Sequence, residues 1–187
     1  MIEDIDYAIN NLPAEKSVYR VNRWSALALK SRFTLFEGTY RKYHNLQLEG
    51  NDYNYYLNLA AASALEIIED GPYNIHSTGN PESDYLMLFA TPDANLDEYI
   101  LAIKFDYALG IRNNASGYTL LTSQGRPGLT RKFVNSYLMS DGSRFTDQEG
   151  WETMVFSEET TNRDPRLRQS MRTPGYTRIN ETSMVGP

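Results

Sequence analysis

A polar segment, residues 106–118, brings together residue types that bind polyhydroxylated ligands. It contains two tyrosines, an arginine and two asparagines that could serve as contacts: Tyr107, Arg112, Asn113, Asn114 and Tyr118. An aromatic face suits the C–H side of a sugar ring, and amide or guanidinium groups donate hydrogen bonds to its hydroxyls. Polar loops with no ligand often have a similar composition, so a binding loop and an ordinary loop both remain possible.

Trp151 is a second candidate platform for a ring. It follows Gly150 in a stretch that is rich in polar residues. An indole presents a large apolar face and one polar N–H group, so it serves equally well at a ligand surface and in a core. The sequence leaves both roles open for this residue.

Four carboxylates lie close together in the sequence: Asp141, Asp147, Glu149 and Glu152. Such a group raises the question of glycoside hydrolysis. That reaction requires two carboxyl groups held at a set distance across a substrate. Asp141 and Asp147 stand next to Gly142 and Gln148 in turn contexts, and closeness in sequence does not fix such a distance. We therefore expect capping or solvated roles here, and no enzyme activity.

Composition excludes several other classes of site. The chain has no cysteine and two histidines, His44 and His76, each in a predicted loop, so neither a metal site nor another cofactor site is expected. The net charge of −6 argues against nucleic-acid binding. The glycine-rich residues 123–128 lack the Lys-Ser/Thr ending of a phosphate loop, so they predict a structural turn.

An arginine-rich stretch near the end of the chain has two interpretations. Its members are Arg163, Arg166, Arg168, Arg172 and Arg178. They could form a basic patch. They also alternate with Asp164 and follow Glu158 and Glu159, so pairing between arginine and carboxylate is the simpler interpretation.

Three helices are predicted in the first part of the chain, at residues 2–11, 21–43 and 53–70. The residue before Pro13 is disfavoured in a helix and ends the first, whereas Asn22 can cap the second. Gly71 followed by Pro72 is a strong stop signal for the third. The second helix has two apolar stripes, which predicts burial on two sides.

The second and third helices resemble one tetratricopeptide unit, with a small-residue face at residues 60–64. Such a unit needs stacked neighbours to bury its surfaces. No second copy is found, so we expect exposed apolar surface and possible self-association. After Tyr73 we expect a helical turn at residues 85–89, a strand at 98–106 and a helix over 129–139 that Asp141 and Gly142 end. The predicted fold class is therefore mainly α, with a few short strands.

The order of motifs in the second part resembles the SusD/RagB family of nutrient-binding outer-membrane lipoproteins. The motifs are Asn135-Ser-Tyr-Leu-Met139 with Asp141-Gly142, an aromatic segment, and Asn162-Arg-Asp-Pro-Arg-Leu167. Residues 95–98 stand where the family has the start of a strand. We interpret the 135–137 and 164–166 motifs as determinants of the fold and not as ligand contacts.

The resemblance implies one incomplete SusD-like domain over residues 1–187. Residues 1–73 would form its helical-repeat part, and residues 74–187 a loop-rich part with short helices and strands. Family members begin with a signal peptide and a lipid-modified cysteine, which this sequence does not contain. We therefore expect a fragment or a truncated product of a longer protein.

The resemblance also implies a function. Such a protein binds an oligosaccharide or another nutrient at the outer-membrane surface and passes it to a TonB-dependent, SusC-like transporter, without breaking a bond. The alternative is a helical-repeat scaffold that binds other proteins and has no role with sugars.

Overall fold

The computed structural model describes residues 1–46, 48, 50–121, 123–125 and 127–176. Within these residues the chain is mainly helical, as predicted. The α-helices are α1 Ile2–Asn11, α2 Arg23–Tyr43, α3 Tyr53–Asp70, α4 Asp84–Ala90, α5 Ala115–Leu120, α6 Arg131–Ser136, α7 Phe156–Glu159 and α8 Pro165–Ser170. Two 3₁₀ helices, Phe145–Asp147 and Trp151–Thr153, lie between α6 and α7. Extended pairing in this described part is confined to isolated antiparallel bridges.

The chain divides into two compact units. The first consists of Met1–His76 with Pro92–Lys104. The second consists of Ser77–Thr91 with the described residues from Phe105 onward. The assignment of the whole chain to one incomplete domain remains a prediction.

The helix boundaries of the first unit follow the predicted signals closely. Leu12 is extended, with φ −80° and ψ 148°, and ends α1 before Pro13. The Asn22 side chain accepts a hydrogen bond from the Ser25 N–H at 2.9 Å, and the Ser25 hydroxyl oxygen accepts one from the Asn22 N–H at 2.9 Å. This reciprocal cap sets the start of α2. The third helix has the predicted bounds, with Asp52 as its cap.

Helices α2 and α3 pack as an antiparallel pair. Near the end of α2, a Cβ atom on Gly38 would lie 2.9 Å from the Leu57 side chain, so only glycine permits this approach. Half-way along, the Ser31 hydroxyl donates to the Ala60 carbonyl oxygen at 3.0 Å. Ala60 and Ser63 are buried, whereas Ala61 and Ala62 are exposed, so the small-residue face predicted over residues 60–64 is confirmed for Ala60 and Ser63.

The core of the first unit forms where α1 crosses the start of α2, with buried Ile5, Ile9, Trp24, Ala26 and Leu27. The Trp24 indole N–H donates to the Ala14 carbonyl oxygen at 2.8 Å, so its polar atom is satisfied.

One of the two apolar stripes predicted on α2 consists of Leu29, Phe33, Phe36 and Tyr40, of which Phe33 packs against the core. Leu29, Phe36 and Tyr40, called here the α2 stripe, are 57%, 64% and 45% exposed. Burial on two sides of α2 is therefore wrong for these three residues. The prediction of exposed apolar surface is confirmed.

The strand predicted at residues 98–106 is wrong. This segment is irregular, and Ile100 packs against the core of the first unit. The Ala102 N–H donates to the Val18 carbonyl oxygen at 2.8 Å, which is a single bond to a loop. Leu101, Ile103 and Phe105 are exposed, and no neighbouring strand among the described residues supplies the ladder that would make this apolar run β.

In the second unit the helix predicted over 129–139 is shorter than expected. It spans Arg131–Ser136, capped by the Thr130 hydroxyl, and Tyr137 is already extended. Leu138 and Met139 instead form bridges with Arg144 and Arg163. Long-range pairing has replaced the last helical turn. The predicted turn at Gly142, with φ +86°, and the predicted short helix at 85–89, observed as α4, are both confirmed.

Candidate functional site

The structure brings Tyr107 and Arg112 together in a tight turn. The Asp106 N–H donates to the Ile111 carbonyl oxygen at 2.8 Å, and the Ile111 N–H donates back to Asp106 at 3.0 Å. Gly110, with φ +72°, closes the turn. The Arg112 guanidinium lies 5.1 Å from the centroid of the Tyr107 ring, and that ring is 80% exposed. An open aromatic face beside a cation is therefore available to a ligand.

The remaining residues of this segment are placed differently from the prediction. The Asn113 side-chain oxygen accepts from the Ala115 N–H at 3.0 Å, just before α5. The Asn114 side chain lies over Gly117. Tyr118 is on α5 and is 54% exposed, so the predicted continuous loop is wrong. No strand precedes the segment in the described structure.

Trp151 lines a cavity of about 440 Å³ between α6 and the two 3₁₀ helices. Its lining includes polar groups from three elements: Arg131, Lys132, Asn135, Thr146, Trp151 and Glu152. A cavity of this size accommodates a small ligand or one ring of a larger one.

The Trp151 ring is held from two sides. It packs edge-on against the buried Phe145 ring, with centroids 6.1 Å apart. The Arg131 guanidinium lies 5.8 Å from the Trp151 centroid and donates to the carbonyl oxygens of Trp151 and Glu152 at 3.3 and 3.1 Å. Arg131 also binds the Glu159 carboxylate at 2.6 Å, which balances its charge. Trp151 is therefore compatible with both a core role and a ligand-contact role, because its ring packs against the buried Phe145 and also lines a cavity.

Two polar groups of this cavity have no partner among the described residues. The Asn135 side-chain oxygen is buried and accepts no hydrogen bond. No hydrogen bond or ion pair to the Lys132 ammonium occurs in the described part of the chain. A buried acceptor without a donor costs roughly 1–3 kcal/mol. The oxygen has almost no accessible surface in this conformation, so the Asn135 amide group reaches a ligand only after its side chain turns toward the cavity.

Sequence reasoning missed Asn135 and Lys132 as site residues. The 135–137 motif was interpreted as a determinant of the fold alone. The spacing of positions 131, 132 and 135 on one side of a helix was the available signal.

Of the four carboxylates, Asp141 is held in a turn. The Asp141 carboxylate accepts from the N–H and the hydroxyl of Ser143 at 2.9 and 2.7 Å, and these bonds hold the pKa of Asp141 below its usual range. The predicted turn role of Asp141 is confirmed. Within the described ranges, no cluster of His, Asp and Glu side chains is arranged to hold a metal ion.

The arginine-rich stretch is tied into the second unit. Arg166 pairs with Asp164 and Arg168 pairs with Glu82, which confirms pairing for these two. Arg163 is buried and donates to backbone carbonyl oxygens instead. Arg172 lies beside the Tyr176 ring, and Arg178 falls outside the described residues.

Residues 101–185 match the sequence profile of the SusD family. This segment is similar to the SusD family. The resemblance predicted from the 135–142 and 162–167 motifs is therefore confirmed. No curated protein and no solved structure matches the chain.

Members of the SusD family are associated with the binding of glycans and other nutrients and are non-catalytic. They are typically found at the outer membrane and generally work with SusC-like transporters. No described helix of this chain is long and apolar enough to cross a membrane.

Proposed function

We propose that this chain binds a glycan or another polyhydroxylated nutrient without transforming it. The observation that carries the proposal is the cavity that the Trp151 ring lines together with the polar side chains of Arg131, Lys132 and Asn135. An aromatic face next to polar side chains suits a sugar ring, since its C–H face stacks and its hydroxyls form hydrogen bonds. The family match of this segment supports the same class of ligand.

The exposed turn of Tyr107 and Arg112, together with Asn113, Asn114 and Tyr118, is the second proposed contact. Tyr107 and Tyr118 are both exposed, which is what a ligand surface requires. The Asn113 oxygen is already bonded to Ala115, so we expect its NH₂ group, and that of Asn114, to donate to a ligand.

The Trp151 cavity is tested by a substitution that removes a ligand contact and no protein contact. An array of neutral oligosaccharides selects the strongest binder, and calorimetry then compares the parent with Asn135→Leu. Because the Asn135 oxygen has no partner in the free protein, this change should leave the melting temperature nearly unchanged. Loss of one hydrogen bond should weaken binding roughly threefold to tenfold.

The matched control is Asn58→Leu, the same substitution at an exposed position of α3. It should alter neither affinity nor stability. Equal affinities for the parent and Asn135→Leu would rule out the cavity. If no oligosaccharide on the array binds, the proposal of a glycan ligand is wrong.

We further propose that binding takes place at the outer-membrane surface and is followed by transfer to a TonB-dependent, SusC-like transporter. The support is the family match alone. Co-purification of the native protein from outer membranes with a transporter encoded beside its gene tests this step. A gene with no such neighbour, and a protein that purifies alone, would contradict it.

A protein-binding scaffold is the second candidate function. The α2 stripe favours it, because three exposed apolar side chains follow one helical face. Under this alternative, substitutions on the α2 stripe abolish capture of a partner protein. The chain then binds no oligosaccharide on the array.

A further inference from the structure

A second cavity, of about 420 Å³, lies in the same unit between α4, α6 and the start of α8. Three aromatic rings, one aliphatic side chain and one charged pair line it: Tyr85, Phe133, Tyr137, Leu138, Asp164 and Arg166. The sequence alone suggested that the motif residues here determine the fold. Their arrangement in space also forms a cavity that a ligand could occupy.

The aromatic rings are fixed but remain accessible. Phe133 and Tyr137 pack edge to face, with centroids 5.7 Å apart at 89°. The Tyr137 hydroxyl donates to the Ser170 hydroxyl at 2.9 Å, which fixes the orientation of its ring. Phe133 is 50% exposed and Tyr85 is 38% exposed. Rings that are held by neighbours and open on one face lose little entropy when a ligand stacks on them.

The charged pair closes the polar end of the cavity. Arg166 donates from Nε to Asp164 Oδ1 at 2.9 Å and from Nη2 to Asp164 Oδ2 at 2.6 Å. This bidentate pair has almost no net charge, so an anion gains little from it. It still presents carboxylate acceptors and a further guanidinium donor side by side, which suits the adjacent hydroxyls of a neutral sugar.

We propose that this cavity is a further binding site for a neutral sugar ring, with Phe133 as the stacking platform and the Asp164–Arg166 pair as the hydroxyl-binding group. The proposal depends on the proposed function only for the class of ligand. Ser136 lines both cavities, but Phe133, Asp164 and Arg166, which carry this proposal, do not line the Trp151 cavity.

The test follows both cavities in one experiment on the full chain. The ¹⁵N-labelled protein is titrated with methyl glycosides of glucose, galactose, mannose and N-acetylglucosamine. The Arg166 Nε–H signal reports on the second cavity, and the Trp151 indole N–H signal reports on the first. We expect saturable shifts of Arg166 and of the 133–138 amides with at least one glycoside.

Phe133→Leu then removes the ring and keeps apolar bulk. Loss of stacking should weaken the Arg166 response roughly threefold to tenfold and leave the Trp151 response unchanged. The matched control is Phe156→Leu, an exposed phenylalanine of α7 in the same unit that does not line the cavity. Arg166→Lys, which breaks the bidentate geometry, replaces Phe133→Leu if that variant fails to fold. Its response is then followed on the 133–138 amide signals, because the Arg166 Nε–H signal is lost with the arginine.

The outcomes separate the two sites. If the glycosides shift Trp151 but not Arg166 and the 133–138 amides, the second site is wrong and the first stands. If the glycosides shift Arg166 but not Trp151, the second site is supported and the proposal of the Trp151 site is wrong. If no glycoside shifts either signal, both sites are wrong. If Phe133→Leu shows an undiminished Arg166 response, the second site is wrong.

Discussion

The guanidinium carbon of Arg163 lies 4.0 Å from the centroid of the Phe145 ring, and both side chains are buried. The remaining side of the guanidinium donates to backbone carbonyl oxygens, at 2.9 Å to Val134, 2.8 Å to Tyr137 and 2.7 Å to Glu159. Burial lowers the pKa of Arg163 from its ordinary value. One cation thus connects α6, α7 and the 3₁₀ helix before Trp151, so it also positions the wall of the Trp151 cavity.

Replacing Arg163 should destabilise the second unit strongly. Arg163→Met retains some apolar contact with Phe145 but removes the arginine donor from the carbonyl oxygens of Val134, Tyr137 and Glu159, of which the Val134 oxygen also accepts from the Tyr137 N–H. The free energy of unfolding should fall by about 3 kcal/mol. Urea unfolding measures it, with Arg168→Met as the control, since Arg168 is an exposed arginine of α8 whose loss should cost less than about 1 kcal/mol. Equal effects of the two substitutions would show that the Arg163 contacts contribute little.

Tyr118→Ala should weaken binding of the best array oligosaccharide by roughly tenfold if the 106–118 segment contacts it. The melting temperature should change little, because this tyrosine is on the surface of α5 and packs into no core cluster. Tyr43→Ala, at an exposed tyrosine of α2, is the control for loss of a surface ring. A drop in stability with unchanged affinity would assign Tyr118 a structural role only.

Acid should destabilise the protein through the Asp164–Arg166 pair. The bonds from Arg166 hold the pKa of Asp164 below its ordinary value of 3.8, and partial burial opposes them. Because the folded-state pKa is the lower one, this stabilisation is complete above the ordinary pKa and is lost as pH falls through the folded-state pKa. The free energy of unfolding, measured below about pH 4, should fall less steeply in Asp164→Asn and in Arg166→Gln.

Arg168→Gln is the control for this titration, because it leaves the Asp164–Arg166 pair intact. It should retain the parent slope. Parallel curves for the parent and Asp164→Asn would mean that this carboxylate does not contribute to the acid transition.

The α2 stripe should bind apolar dyes and promote association of the isolated chain. Phe36→Glu places a charge between Leu29 and Tyr40, so dye fluorescence and the sedimenting mass should both fall. Leu109→Glu, at an exposed leucine in the turn of the second unit, is the control. A parent chain that sediments as a monomer and binds no dye would contradict the prediction.

The chain should hydrolyse neither glycosides nor peptides. Asp141 is committed to a turn, and catalysis would have to come from other carboxylates such as Asp147 or Glu152. Broad chromogenic screens with the parent, Asp147→Asn and Glu152→Gln provide the measurement. Turnover that disappears in either variant would overturn the non-catalytic interpretation.

The sequence by itself determined the long helices of the first unit. Asn22 and Asp52 cap them and Gly71 ends α3, and these are interactions between residues a few positions apart. Interactions between residues a few positions apart can be predicted from the order of residue types in the sequence. The family motifs at 135–142 and 162–167 were legible for a related reason, because turns and caps require particular residue types at fixed spacing.

Tertiary structure decided the rest. Whether residues 98–106 form a strand depends on a partner strand, and the segment is bound to a loop at Val18 instead. Beyond the end of α6, Met139 forms a bridge with Arg163, which is distant in sequence. Both candidate cavities likewise gather side chains from separate elements, as Asn135 and Trp151 do. Such contacts arise only when the chain has folded, so no local pattern in the sequence could predict them.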